Sequence, residues 1–275
     1  MIYFTRFGDV MKKYDYNNLP SDAHVFHLWE VMDFNIDSNY NYISQNPIYL
    51  FLKRIVYIVF DFLLKIINNV MFGYKIIDKN KAIKKSKVIS VSNHIHPMDC
   101  TMISLIYFKN LIYFPTIINN FKIPFIRKLI KLLGAIPIPS KKDDKKSFYE
   151  SINNALNDNN HIHMYPEGSM WPYYNKLRDF KYGAFKMAVD ANCPVQPIKF
   201  IYQKPKGIKK IYKRKDCINA IVLDPIYPNN ELNYYDRIND LKEKAFNAID
   251  KVVIWKYYYF LAPQVVDIIH VLIIF

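Results

Sequence analysis

Residues 87–108 read KVISVSNHIHPMDCTMISLIYF, and the change of pattern inside that stretch decides the architecture. Val88 to Ser92 form a short run of β-branched and small residues without a charge, as expected of a strand covered on both faces. A polar turn follows, holding Asn93, His94, His96 and Asp99. Pro97 has the fixed φ and missing donor that suit the first turn of a helix, and the residues after it keep a helical apolar spacing. Strand, ionisable turn and helix together make the unit from which parallel sheets are built.

The rest of the chain repeats that alternation. IPFIRKLIKLLG (123–134) predicts an amphipathic helix stopped by Gly134, AIPIP (135–139) a short extended run, and KKSFYESINNALND (145–158) another helix. HIHMY (161–165) reads as a strand, RDFKYGAFKMAVDAN (178–192) as loop and helix, and VQPIKFIYQ (195–203) as a strand. INAIVLDPIY (218–227) and ELNYYDRINDLKEKAFNAIDKVV (231–253) add a last strand and a long helix. The expected fold is α/β, a mainly parallel central sheet flanked by helices.

Upstream, PIYLFLKRIVYIVFDFLLKIINNVMFGYK (47–75) is apolar, yet Lys53, Arg54, Asp61 and Lys65 interrupt it. No stretch reaches the roughly 18 uninterrupted apolar residues of a spanning helix. Arg54, Asp61, Lys65 and Asn68 fall into one narrow helical stripe, so the expectation is an amphipathic, membrane-associating helix lying in the headgroup plane. A helix buried on most sides by its own domain is the plain structural alternative. The chain thus divides into an N-terminal appendage (1–46), an amphipathic membrane-interface segment (47–80), an α/β domain (81–253) and an apolar C-terminal tail (254–275). His24 and His27 in the appendage read as part of an amphipathic turn rather than a ligand pair.

Composition narrows the function. The chain of 275 residues carries a net charge of +14, and 51% of it is hydrophobic, with 23 tyrosines and 19 phenylalanines. That is ample for a large core and argues against disorder. Lysines are dispersed in short groups rather than gathered in one arm. Such a surface suits phospholipid headgroups, although a composition rich in Lys, Asn, Ile and Tyr is itself a source of basic charge. Nucleic-acid signatures are absent from the sequence. Cys100, Cys193 and Cys217 are isolated, which fits a reducing compartment, and the first residues hold no apolar core of signal-peptide length. The expected location is the cytoplasmic face of a membrane.

Two turns fall at the carboxyl ends of expected strands, NHIHPMD (93–99) and PEGS (166–169), where open parallel sheets bind ligands. In the first, Asp99 can point back from the opening helix toward one nitrogen of His94, leaving the other free to take a proton from a hydroxyl. A turn histidine bonded to backbone and a first-turn carboxylate favoured by the helix dipole is the alternative. A metal reading uses His94 and His96 with Asp99 as a third ligand, and His161 and His163 from the other strand as further candidates. Against it, His96 precedes Pro97, where extended geometry is lost.

NHIHPMD resembles the Asn-His-x4-Asp block of the glycerolipid acyltransferases, the 1-acylglycerol-3-phosphate or lysophospholipid acyltransferase family. FKIPFIRKLIKLLGAIPI, YPEGS and CPVQPI resemble the family's next three blocks in the same order, so the likeness covers about residues 85–225. The resemblance implies acyl transfer from acyl-CoA or acyl carrier protein to the hydroxyl of a lysolipid acceptor, with no cofactor, no metal and no nucleic-acid partner. It makes His94 the general base and Asp99 its orienting acid, and it puts Asn93, Glu167, Gly168 and Ser169 on the substrate-binding wall. The family's second and third blocks carry arginines for the acceptor phosphate. Here Ser140 and Met170 stand in those places, so Lys141, Lys142, Lys176 or Arg178 is expected to compensate, or the acceptor differs. Other readings are a non-catalytic lipid-binding member of the family and a metal-dependent hydrolase using His94 and His96.

Overall fold

The structure, a computed structural model, describes residues 16–20, 23, 25, 33–36, 40–107, 110–122, 124–141, 144–174, 176–213 and 215–252. His24, His27, Lys142 and the tail 254–275 lie outside the described residues.

The long apolar segment is a single helix, α1 (Pro47–Phe72). Asn46 caps its start by accepting hydrogen bonds from the Ile48 and Tyr49 amides at 2.9 and 3.2 Å, and Gly73 ends it in the left-handed conformation. Seven strands follow: β1 (Lys75–Ile77), β2 (Val88–Ser92), β3 (Ile112–Ile117), β4 (Ala135–Ile138), β5 (His161–Met164), β6 (Val195–Gln203) and β7 (Cys217–Val222). They make one sheet in the order β1-β7-β6-β2-β5-β3-β4. β2 to β6 run parallel to one another, whereas β7 is antiparallel to β6 and carries β1 along its outer edge. Two strands go beyond the sequence expectation. β1 falls in the segment read as a membrane-interface unit, and β3, with Pro115 in its middle, pairs between β5 and β4.

The connecting helices are α2 (Asp99–Ile106), α3 (Pro124–Leu132), α4 (Lys145–Asn157), α5 (Gly183–Asp190), α6 (Lys209–Tyr212) and α7 (Tyr234–Asp250). α4 packs on α5 and α5 on α7, forming one layer. α2 packs with α1, and Tyr107 just beyond α2 sits edge-on to His161 of β5 at 4.6 Å. β2 is buried at all five positions, as its apolar pattern predicts. The core runs continuously from Val88, Ile89 and Ile162 to Phe185 and Leu241, and takes in Ile36, Tyr42 and Ile43 from the N-terminal region.

α1 inverts the usual arrangement. Lys53, Tyr57, Asp61 and Asn68 are buried against the domain, while Ile48, Phe51, Leu52, Ile55, Ile58, Val59, Phe62, Leu63, Ile66, Ile67, Val70 and Met71 are exposed. The expectation of a helix enclosed by its own domain fails on that exposed face. The polar stripe itself is split: Asp61 and Asn68 face inward, and Arg54 and Lys65 reach out from its margin. Tyr57 anchors the inward face, its hydroxyl lying 2.8 Å from the Ile112 carbonyl and 2.6 Å from that of Leu133. Among the described residues, no helix is long and apolar enough to cross a membrane.

Candidate active site

β2 delivers the chain to Asn93, whose amide replaces a missing strand partner. Its Nδ2 donates to the Phe200 carbonyl at 3.0 Å and its Oδ1 accepts the Phe200 amide at 2.8 Å. Asn93 was expected on the substrate wall; both ends of its amide are instead committed to β6.

α2 opens at Asp99 rather than at Pro97. The Asp99 side chain is fully buried and folds back over the turn. Its Oδ2 accepts the Ile95 amide at 2.8 Å and the His96 amide at 3.0 Å, and lies 3.1 Å from Nδ1 of His94. A carboxylate only accepts, so this contact places the proton on Nδ1 and leaves Nε2 with its lone pair. No hydrogen-bond partner meets Nε2 among the described residues. The His94 ring stacks on Tyr165, centroids 3.8 Å apart and planes 14° from parallel, and its side chain is 22% exposed.

The turn after β5 is welded to this one. Glu167 Oε2 accepts the His94 amide at 3.3 Å and Nη2 of Arg178 at 2.8 Å, while Oε1 accepts the Arg178 amide at 3.2 Å. Arg178 also donates to the Ser169 hydroxyl at 2.7 Å and to the Ser169 carbonyl, and its guanidinium lies 4.5 Å from the Trp171 ring centre. The Trp171 and Tyr173 amides donate to the His94 and Ile95 carbonyls, each at 3.2 Å. Glu167, Ser169 and Arg178, expected to face the acceptor, are therefore buried framework. Both terminal nitrogens of Arg178 are engaged with Glu167 and Ser169, which turns its fork toward the protein instead of an acceptor phosphate.

Gly168 has φ +79°, and a Cβ there would fall 2.8 Å from Cε and 2.9 Å from Nζ of Lys181. The glycine is favoured by the left-handed backbone, whereas the lysine end laid across it is free to shift. Lys141 is exposed beyond the end of β4. That strand is three places from β2, roughly 14 Å across the sheet at ~4.8 Å per strand.

His94 lines a cavity of about 270 Å³. Tyr57, Phe60 and Leu64 of α1 form one wall, and Phe114, Ile130 and Leu133 another. A cavity of ~150 Å³ holds a six-carbon ring, so this one accommodates roughly ten carbons. Asp61 also lines the cavity. Burial pushes its carboxyl up to about 6, against a hydrogen bond from Ser104 and the nearby Lys79, both of which pull it down. Burial also lowers Lys53 to about 7, with Lys131 adding to the effect, and its ammonium rests 4.0 Å from the Tyr113 ring centre.

The other described histidines, His96, His161 and His163, have partners of their own. Nδ1 of His96 accepts the Met98 amide at 3.1 Å, and its ring packs against Phe72. His163 is clamped between Ser90 Oγ at 2.8 Å and Ser92 Oγ at 3.3 Å, and burial holds it well below the usual histidine range. His161 lies by Asn110 and is lowered by burial to about 4. Among the described residues no three His, Cys, Asp or Glu side chains come close enough to share an ion.

Sequence reasoning missed Tyr165, the platform under His94, and the contribution of α1 to the cavity wall. Tyr165 carried a signal, since it stands between the strand end and the Pro-Glu-Gly-Ser turn. The wall residues Tyr57, Phe60 and Leu64 carried one only in their three- and four-residue spacing.

A family model described as Acyltransferase matches residues 74–201, the stretch holding both turns and most of the sheet. The chain is similar to the crystal structure of the 1-acyl-sn-glycerophosphate (LPA) acyltransferase PlsC from Thermotoga maritima, with 18% identity and a TM-score of 0.45 over 72% of this chain and 92% of that one. Comparison with curated proteins returned no match.

Proposed function

We propose, from the match of residues 74–201 to the family model described as Acyltransferase, that this chain moves a fatty acyl group from acyl-CoA or acyl carrier protein to the hydroxyl of a lysophospholipid-like acceptor, at the cytoplasmic face of a membrane. The single observation that carries the reading is the His94–Asp99 contact at 3.1 Å on the rim of an apolar cavity.

Nε2 of His94 takes the acceptor's O–H proton as the oxygen attacks the thioester carbonyl carbon. Asp99 keeps the ring in the Nδ1–H form and stabilises the imidazolium, so no enzyme ester is needed. The carbon–sulfur bond then breaks, and the thiolate receives the proton from Nε2. The acyl chain occupies the cavity beneath Tyr165, with α1 as its lid. The exposed apolar face of α1 supports contact with a bilayer, from which acceptor and product exchange. For an acceptor bearing phosphate, Lys181 beside the Gly168 turn and the exposed Lys141 are the cations this reading assigns, as point charges rather than a guanidinium fork.

The test is a panel of lysolipids with and without phosphate, assayed against labelled acyl-CoA and acyl carrier protein of graded chain length. Transfer is expected to peak near chains that fill the cavity and to vanish in His94→Ala with the fold retained. Parental turnover in purified His94→Ala would remove the assigned base.

A further inference from the structure

The connection between β6 and β7 reads KPKGIKKIYKRK over residues 204–215, with seven Lys or Arg and no acidic residue. Its centre forms the single turn α6 (Lys209–Tyr212), where Ile208, Ile211 and Tyr212 fall at i, i+3 and i+4 and so share a side. That side faces outward: Ile208 is 75% exposed, Ile211 85% and Tyr212 53%. Large apolar side chains grouped at such exposure on a surface mark a contact site rather than a core.

The loop is tied to α1 by its other side. Lys209 Nζ donates to the Gly73 carbonyl at 2.9 Å, and Lys213 Nζ donates to the Met71 carbonyl. The last carbonyls of a helix have no partner within it and carry the negative end of its dipole, so two ammonium groups are well placed there. Gly73 permits the close fit, since a Cβ on it would fall 2.5 Å from Cys217 Sγ at the start of β7. The ridge on α6 is thereby held beside the end of α1, where Val70 and Met71 are exposed. Lys204, Lys206, Lys210 and Lys215 stand exposed around it.

We infer that residues 204–215 form a second lipid-contacting element, in which Ile208, Ile211 and Tyr212 enter the headgroup–acyl boundary of an anionic phospholipid bilayer while Lys204, Lys206, Lys210 and Lys215 meet its phosphates. The inference rests on the reading of α1 as bilayer-facing, and extends it to a part of the chain more than a hundred residues away in sequence. Two features commit the loop to a bilayer. The ridge is bonded to the end of α1, whose apolar side is also exposed, and only a lipid interface offers an apolar phase and dense negative charge within one side-chain length. A nucleic acid would match the lysines and leave both isoleucines in water.

The experiment is flotation of the full chain with vesicles of phosphatidylcholine alone and of phosphatidylcholine mixed with phosphatidylglycerol. Lys204→Gln/Lys206→Gln/Lys210→Gln/Lys215→Gln should lose the preference for anionic vesicles, by about fivefold per lysine, and keep the parental affinity for neutral ones. Ile208→Ser/Ile211→Ser/Tyr212→Ser should weaken binding to both. Ile55→Ser/Phe62→Ser on α1 should weaken neutral binding and leave the anionic preference in place. A thermal melt of each variant in buffer accompanies the flotation, so that loss of binding is read only from variants that stay folded. Loop variants that float like the parent, while the α1 variant does not, would overturn the loop inference alone. A parent that floats with neither vesicle would overturn the bilayer reading and the loop with it.

Discussion

Asp99→Asn isolates the orientation of the base from its presence. In the parent, one oxygen, Oδ2, accepts from the Ile95 amide, the His96 amide and His94 Nδ1 at 2.8, 3.0 and 3.1 Å, while Oδ1 is buried without a partner. An asparagine that keeps its oxygen on those three donors must put its NH2 where Oδ1 now lies, a buried donor facing nothing, at a cost of about 1–3 kcal/mol. For a chain of this size that lowers the melting temperature by roughly 2–12 °C. The reverse flip would point NH2 at two backbone amides and the ring, which is worse. In either placement the imidazolium formed as the acceptor loses its proton has no counter-charge, and turnover should fall by about 10²–10⁴-fold. Single-turnover transfer from labelled acyl-CoA, followed across pH beside a thermal melt, reads both effects, and the acceptor KM should change little. A folded variant with turnover within a factor of about three of the parent would refute the oriented-base mechanism.

Arg178→Met should destabilise the chain by about 3–5 kcal/mol, because it strands the buried Glu167 carboxylate; urea unfolding measures this, and an unchanged midpoint would mean the pair does not hold the two turns together. Lys53→Met should act the other way. Burial lowers the Lys53 pKa to about 7 from 10.5, so the stability present above pH 10.5 is lost as pH falls toward 7. The methionine variant should therefore be more stable at pH 7 by about 2–4 kcal/mol, with the gap closing toward pH 10, as denaturation at the two pH values would reveal. A gap independent of pH would show that this lysine does not titrate between them.

Much of the sheet was legible because β2, β5 and β6 are uncharged or β-branched runs bounded by turn residues, and because parallel pairing buries them on both faces. β3 was not, since IYFPTI shows no apolar–polar alternation and follows closely on the run read as a helix; Pro115 is tolerated where β3 leaves β5 and pairs only with β4. The His94–Asp99 approach could be read locally, as five residues across a proline turn fix it. The role of Arg178 could not, because its partners lie nine and eleven residues back, across an irregular loop with no periodicity to follow. Periodicity also gathered Asp61 and Asn68 on one side of α1 without telling which way that side faces. The direction comes from Tyr57 meeting the Ile112 and Leu133 carbonyls, partners 55 and 76 residues further along the chain.

The paired bonds between the Asn93 amide and the Phe200 main chain have a mechanical consequence. They rivet the turn beside His94 to β6 in the middle of the sheet, so that this part of the site is held like a fixed anvil. On the proposed reading the jaw that yields is the greasy helix opposite, which would have to release the Tyr57 hydroxyl from the Ile112 and Leu133 carbonyls and Asn68 from Thr101.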